Sequence, residues 1–123
     1  MYRLTAKEEE VMEMIWKIGP CAPKDVRALY TKPIPNINTV AASFQSLERK
    51  GYLTHEQRGR GYLYIPIIKQ EDYGKSKFRS FVDRYFDGSF KKIVNSFIQD
   101  EELSREELIQ LLEELETSER NSQ

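Results

Sequence analysis

Residues 36–68 read NINTVAASFQSLERKGYLTHEQRGRGYLYIPII, and the order of signals in this stretch decides the fold. Asn36 and Asn38 are both good N-caps for a helix. Val40, Phe44 and Leu47 then fall four and three apart, as one buried stripe. Lys50-Gly51 closes the helix with a cation and a C-terminal glycine. Tyr52-Leu53-Thr54-His55-Glu56 and Tyr62-Leu63-Tyr64-Ile65-Pro66 alternate as strands around a glycine-bearing, basic turn, Gln57-Arg58-Gly59-Arg60-Gly61. A helix followed by a β-hairpin is the layout of a winged helix-turn-helix, so the expected fold class is mainly α (α+β).

The same stretch carries the candidate chemistry. Asn36, Asn38, Thr39 and Ser43 offer hydrogen-bonding groups suited to base edges, while Arg49, Lys50, Arg58 and Arg60 offer charge suited to phosphates. Asn38, Thr39, Ala41, Ala42, Gln45 and Ser46 lie off the buried stripe, with Asn38, Thr39 and Ala42 outermost near the N-terminal end. Recognition helices present their first turns to the major groove. The small Ala41, Ala42 and Ser43 let the backbone come close, and an alanine methyl can touch a thymine methyl. An ordinary solvated helix would show similar polar residues; the wing with its two tip arginines favours double-stranded DNA as partner. His55 is expected to pack or to touch a phosphate. With no second histidine or cysteine nearby, no metal and no other cofactor is assigned.

Upstream, Thr5 and Glu8 form a capping-box pair, and Val11, Met12, Ile15, Trp16 and Ile18 follow at helical spacing until Gly19-Pro20. Trp16 is expected to anchor the core. A second helix is expected after Pro23, with Val26, Leu29 and Tyr30 inside. Lys32-Pro33-Ile34-Pro35 cannot continue it, because prolines lack an amide donor and bias their predecessors to extended geometry.

The second half reads differently. Tyr73, Phe78, Phe81, Val82, Tyr85 and Phe86 form an aromatic-rich helical face, broken by Asp87-Gly88-Ser89. Phe90, Ile93, Val94, Phe97 and Ile98 form another apolar stripe. Ser104 and Glu107 cap a third helix bearing Leu108, Leu111, Leu112 and Leu115. Three such helices make a thin core alone, so residues 71–123 are read as a three-helix dimerisation domain, following a DNA-binding domain at residues 1–70. The aromatic and leucine faces would form the homodimer interface.

Composition sets bounds. Net charge is −1, yet residues 1–68 hold 10 Lys and Arg against 7 Asp and Glu, and residues 69–123 hold 9 against 13. A positive first half and an acidic second half suit a DNA-facing module joined to a part that faces elsewhere. No apolar run approaches the roughly 20 residues of a membrane span, and the start lacks a signal peptide's pattern, so a cytoplasmic location is expected. A single cysteine, Cys21, leaves no internal disulfide. No paired carboxylates or nucleophile elbow suggest an enzyme. A winged helix used for protein–protein contact is the alternative reading, favoured only by the modest overall charge.

LTAKEEEVMEMIW, NTVAASFQSLERKGYL, GRGYLYIPII, FRSFVDRYFDGSFKKIVNSF and EELSREELIQLLEELE together resemble the penicillinase and methicillin-resistance repressors, the BlaI/MecI family, over nearly the whole length. The last two blocks are the specific ones. The resemblance implies a homodimeric repressor on a palindromic operator, upstream of a β-lactam-resistance or stress gene. It also implies induction through a membrane sensor and a protease that cuts the dimer domain at an Asn-Phe bond. The matching position here is Ser96-Phe97, with Asn95 one place earlier. The family's base-contacting positions map onto Asn38, Thr39 and Ala41, and Ala41 stands where close relatives carry arginine, so a different operator sequence is implied. The cysteine-rich C-terminal signature of the copper-responsive branch is absent, which implies no metal inducer.

Overall fold

Thr5 opens the first helix by accepting the Glu8 backbone N–H at 3.1 Å, while the Thr5 N–H donates to the Glu8 carboxylate at 2.8 Å. This reciprocal cap satisfies two helix-end donors and starts α1, Ala6–Ile18. The computed structural model describes residues 1–121, with the backbone alone for Leu112 and residues 115–121. Further on come α2 (Pro23–Arg27), α3 (Ile37–Arg49), β1 (Leu53–Arg58), β2 (Gly61–Pro66), α4 (Gln70–Tyr85), α5 (Phe90–Gln99) and α6 (Arg105–Asn121). The chain forms two compact units, Met1–Ser76 and Lys77–Gln123, divided within α4.

The first unit is a winged helix. Val11, Met12 and Ile15 of α1, Val26 of α2, Val40, Phe44 and Leu47 of α3, and Tyr52, Leu53 and Tyr64 form one buried cluster with Leu4 and Cys21. Phe44 meets Tyr64 edge to face at 5.0 Å, so the inner stripe of α3 locks onto the second strand of the hairpin. The hairpin is held from its other side as well. Cys21 and Tyr64 exchange both backbone hydrogen bonds, at 3.0 and 2.8 Å, which fixes the segment before α2 against β2.

α2 is shorter than its sequence pattern suggests. It ends at Arg27, and only Val26 is buried; Leu29, expected inside, is 44% exposed. The backbone around Leu29 and Tyr30 closes with i→i−3 bonds to Val26 and Arg27, so the helical register that would have turned Leu29 inward is lost. Trp16 is half-buried rather than central, and its indole N–H donates to the Ile68 carbonyl at 2.8 Å. Both strands run longer than expected, pairing in register from Leu53 with Pro66 to Arg58 with Gly61. The turn shrinks to Gly59-Arg60. Gly59 takes φ +59 and Arg60 does not, the sign pattern of a type II′ hairpin turn.

In the second unit α5 is capped by Ser89, which accepts the Lys92 N–H at 3.2 Å. α6 is capped by Ser104, which accepts the Glu107 N–H at 3.1 Å. The α4–α5 turn puts Asp87 and Gly88 at φ 51 and 74. Val82 is buried, but Phe78, Phe81, Tyr85, Phe90, Phe97 and Leu111 all remain exposed. Phe78 lies 5.7 Å from Phe90 and 6.4 Å from Phe81, ring to ring. Phe86, Ile93, Val94 and Leu108 are half-buried. Leu112 and Leu115 fall among the residues whose side chains lie outside those described.

Candidate nucleic-acid interface

α3 starts where Asn36 places its side-chain oxygen on the Asn38 N–H at 2.8 Å. With the cap fixed, Val40, Phe44 and Leu47 face the core. At 100° per residue the opposite side is the line Asn38, Ala42, Gln45 and Arg49. All four are exposed.

The remaining α3 residues named from sequence have other engagements. Asn36 is spent as the cap. Thr39 and Ser43 are half-buried, and the Ser43 hydroxyl donates to the Thr39 carbonyl at 3.3 Å. Lys50 turns toward α1: its ammonium donates to Glu8 at 2.6 Å and to the Arg3 carbonyl at 3.0 Å. Ser46 donates to the second Glu8 oxygen at 2.5 Å. Glu8 is buried. Burial pushes its carboxyl pKa up, but the bonds from Lys50, Ser46 and Thr5 outweigh that and hold it down at about 2. One buried carboxylate thus ties the start of α1 to the last turn of α3 and sets its tilt.

The wing is tied to α3 by a second pair. His55 Nδ1 sits 2.5 Å from a Glu48 carboxylate oxygen, and its ring lies 4.5 Å from Tyr62 and 5.6 Å from Tyr64. His55 therefore bridges hairpin and helix. Arg58 pairs across the ladder with Gly61, and its guanidinium sits 3.5 Å from Glu56, largely exposed. Arg60 occupies the turn and is exposed. Between α3 and the wing runs an open groove of about 670 Å³, with Ile37, Ala41 and Gln45 on one wall, Arg58, Tyr62 and Leu63 on another, and the start of α2 at its end.

The structure thus brings Asn38, Ala42 and Arg49 onto one exposed line, with Arg58 and Arg60 on the neighbouring hairpin. It sets Thr39 and Ser43 toward the flank, and engages Lys50 and His55 in intramolecular pairs. Gln45 and Tyr62 belong to this surface and were not singled out as site residues. Gln45 is seven residues from Asn38, a spacing that itself marks a shared helical face.

The groove is lined mainly by apolar side chains, with Lys24 and Arg58 among its charged residues. Cys21 is buried, and burial with the nearby Asp25 charge raises its thiol to about 11. Among the described residues no group of three His, Cys, Asp or Glu is placed to hold a metal ion, and no helix is long and apolar enough to cross a membrane.

Comparison with known proteins agrees with this architecture. The family model described as penicillinase repressor matches residues 4–117. The chain is 31% identical to the penicillinase repressor of Bacillus licheniformis over 115 residues, covering 93% of this chain and 90% of the relative. It is 22% identical to the methicillin resistance regulatory protein MecI of Staphylococcus aureus over 111 residues, covering 89% and 90%. The MecI protein of Mammaliicoccus sciuri matches at the same identity and coverage. Joined to a winged helix and a three-helix second unit, these matches identify the chain as a member of the penicillinase repressor family of transcriptional repressors.

Proposed function

We propose that this protein is a DNA-binding repressor that acts as a homodimer on a palindromic operator, controlling a β-lactam-resistance or stress gene. The observation that carries the reading is the exposed line Asn38, Ala42, Arg49 beside a hairpin presenting Arg58 and Arg60. The first turns of α3 enter the major groove with Asn38 and Ala42 facing base edges, and Thr39 reaches them from the flank. Arg49, Arg58 and Arg60 hold phosphates. Lys50 and His55 contribute by fixing α3 and the wing through Glu8 and Glu48. Residues 1–70 would then be the DNA-binding part.

Residues 71–123 are the dimerisation part in this reading. Phe78, Phe81, Tyr85, Phe90 and Phe97 are large apolar side chains left in solvent by a single copy, and exposed apolar patches of this kind mark association surfaces. Val82 is already covered within the unit. Two copies present two reading heads, whose half-sites lie about one helical turn or a multiple apart. The names of the relatives support a resistance gene as the target, and the sensor-and-protease route of induction follows the family resemblance. Its bond would be Ser96–Phe97. That peptide lies inside α5, so cleavage requires local opening of the helix.

The test is a selection of genomic fragments by the purified full-length protein at low and physiological salt, with sequencing of the retained DNA. Enrichment of a few palindromic sites is expected. Retention without enrichment, or none, overturns sequence-specific repression.

A further inference from the structure

We infer that Gln45 is a base-reading residue that recognises an adenine edge, and that Asn38, Ala42 and Gln45 form the reading stripe of α3. The inference rests on the DNA-binding function proposed above and assigns a specificity determinant to it.

The side-chain inventory of α3 leads there. Asn36 caps the helix, Ser43 donates back to Thr39, and Ser46 and Lys50 donate to Glu8. Glu48 is paired with His55. That leaves Asn38, Gln45 and Arg49 as the exposed polar groups of the outer face, and none of their side chains is bonded to another described residue. Arg49 has only donors, which suits phosphate or guanine. Asn38 and Gln45 are amides, each with a donor and an acceptor in fixed relation. That pairing matches the N6 donor and N7 acceptor of adenine in the major groove.

Spacing makes the two amides one device. Seven residues are two helical turns, about 10.5 Å along the axis, close to three base-pair steps of about 3.4 Å. Ala42 lies between them on the same line, presenting a methyl where a thymine methyl can meet it. Ala41 and Ala42 precede Gln45 on the outer side and leave the amide unobstructed toward the N-terminal end of α3, the direction in which helical side chains lean. Gln45 also shares its groove with Arg58 of the wing. A duplex whose backbone is held by the wing is therefore brought to the Gln45 side of α3 rather than past it.

The experiment selects duplexes from a randomised pool with the full-length protein, comparing wild type, Gln45→Ala, Gln45→Glu and Asn38→Ala at one salt concentration. Gln45→Ala should lose its adenine preference at one position per half-site, by roughly tenfold or more, the usual weight of a good bidentate pairing. The other positions should be unchanged. Gln45→Glu should move that preference toward cytosine, whose N4 amino group donates to a carboxylate. A wild-type motif retained by both Gln45 variants, while Asn38→Ala alters its own position, overturns the Gln45 assignment and leaves DNA reading intact. An equal loss of affinity for every sequence in Gln45→Ala also overturns it, because that is the signature of a residue on the phosphate backbone. A wild type that enriches no motif overturns the DNA reading itself.

Discussion

Glu8, in the first turn of α1, accepts the Lys50 ammonium at 2.6 Å across 42 residues of sequence. The pair joins the N-terminus of the first helix to the C-terminus of the third, and its carboxylate is buried. Glu8→Gln should destabilise the protein by about 1–3 kcal/mol at neutral pH, because Lys50 and Ser46 lose a charged acceptor in a partly desolvated site. The pH dependence has a definite sign. The folded carboxyl sits at about 2 against an ordinary 4.5, so its contribution is complete above pH 4.5 and fades as pH falls toward 2. Urea melts at pH 7 and pH 3 check this: the gap between wild type and Glu8→Gln should narrow in acid. A constant gap would mean that the charge contributes nothing.

Cys21 should resist modification. Its side chain is buried, its backbone is bonded to Tyr64 on both sides, and its thiol is raised to about 11. At pH 7.5 very little thiolate exists to react. Labelling by a thiol reagent should therefore track opening of the Cys21–Tyr64 bridge, slow in buffer and fast in denaturant. Immediate stoichiometric labelling of native protein would contradict the packing of the wing against the α2 segment.

Arg58 and Arg60 are exposed at the tip of the hairpin, away from the residues that pack it onto the core. Replacing both by alanine should weaken binding to every duplex alike and make the salt dependence shallower, by about 0.9 in log–log slope for each phosphate the wing no longer neutralises. Circular dichroism should be unchanged, since neither side chain is buried. Titrations of operator and random duplex at several salt concentrations would check it. An unaltered slope would remove the wing from the DNA-facing surface.

Much of this architecture was legible in the sequence because local rules and burial agree there. Thr5 with Glu8, Asn36, Ser89 and Ser104 all cap as their residue types predict. Val40, Phe44 and Leu47 face the core as their spacing predicts. What sequence reasoning missed depends on long-range partners. Glu8 looked like a cap alone, yet it also receives Ser46 and Lys50 from 38 and 42 residues away. That converts Lys50 from a free cation into a strut. Tyr73 looked like part of the second half's aromatic face. It belongs instead to the first unit, tilted against Trp16, edge to face with Tyr52 and bonded through its hydroxyl to Glu9. Leu29 was misplaced because a five-residue helix does not keep its register long enough to bury it. Gln45 shares the exposed face of Asn38 because seven residues are close to two helical turns.

The apolar face of the second unit gives the last prediction. Phe81 and Phe90 are each about half exposed, at 46% and 51%, and both lie within ring-stacking range of Phe78. In a monomer an aspartate at Phe90 would cost little, because about half of the ring is already in water. In a dimer it would place a charge inside an apolar interface, at a cost that unpaired burial makes several kcal/mol. Phe90→Asp should therefore keep its helical content while sedimenting as a monomer at concentrations where wild type is a dimer. Operator affinity should fall steeply in the same variant, since each half-site then binds alone and occupancy of one no longer assists the other. Affinity for a single half-site should stay near the wild-type value. If Phe90→Asp remained a dimer with full operator affinity, the association surface would have to lie elsewhere on the second unit.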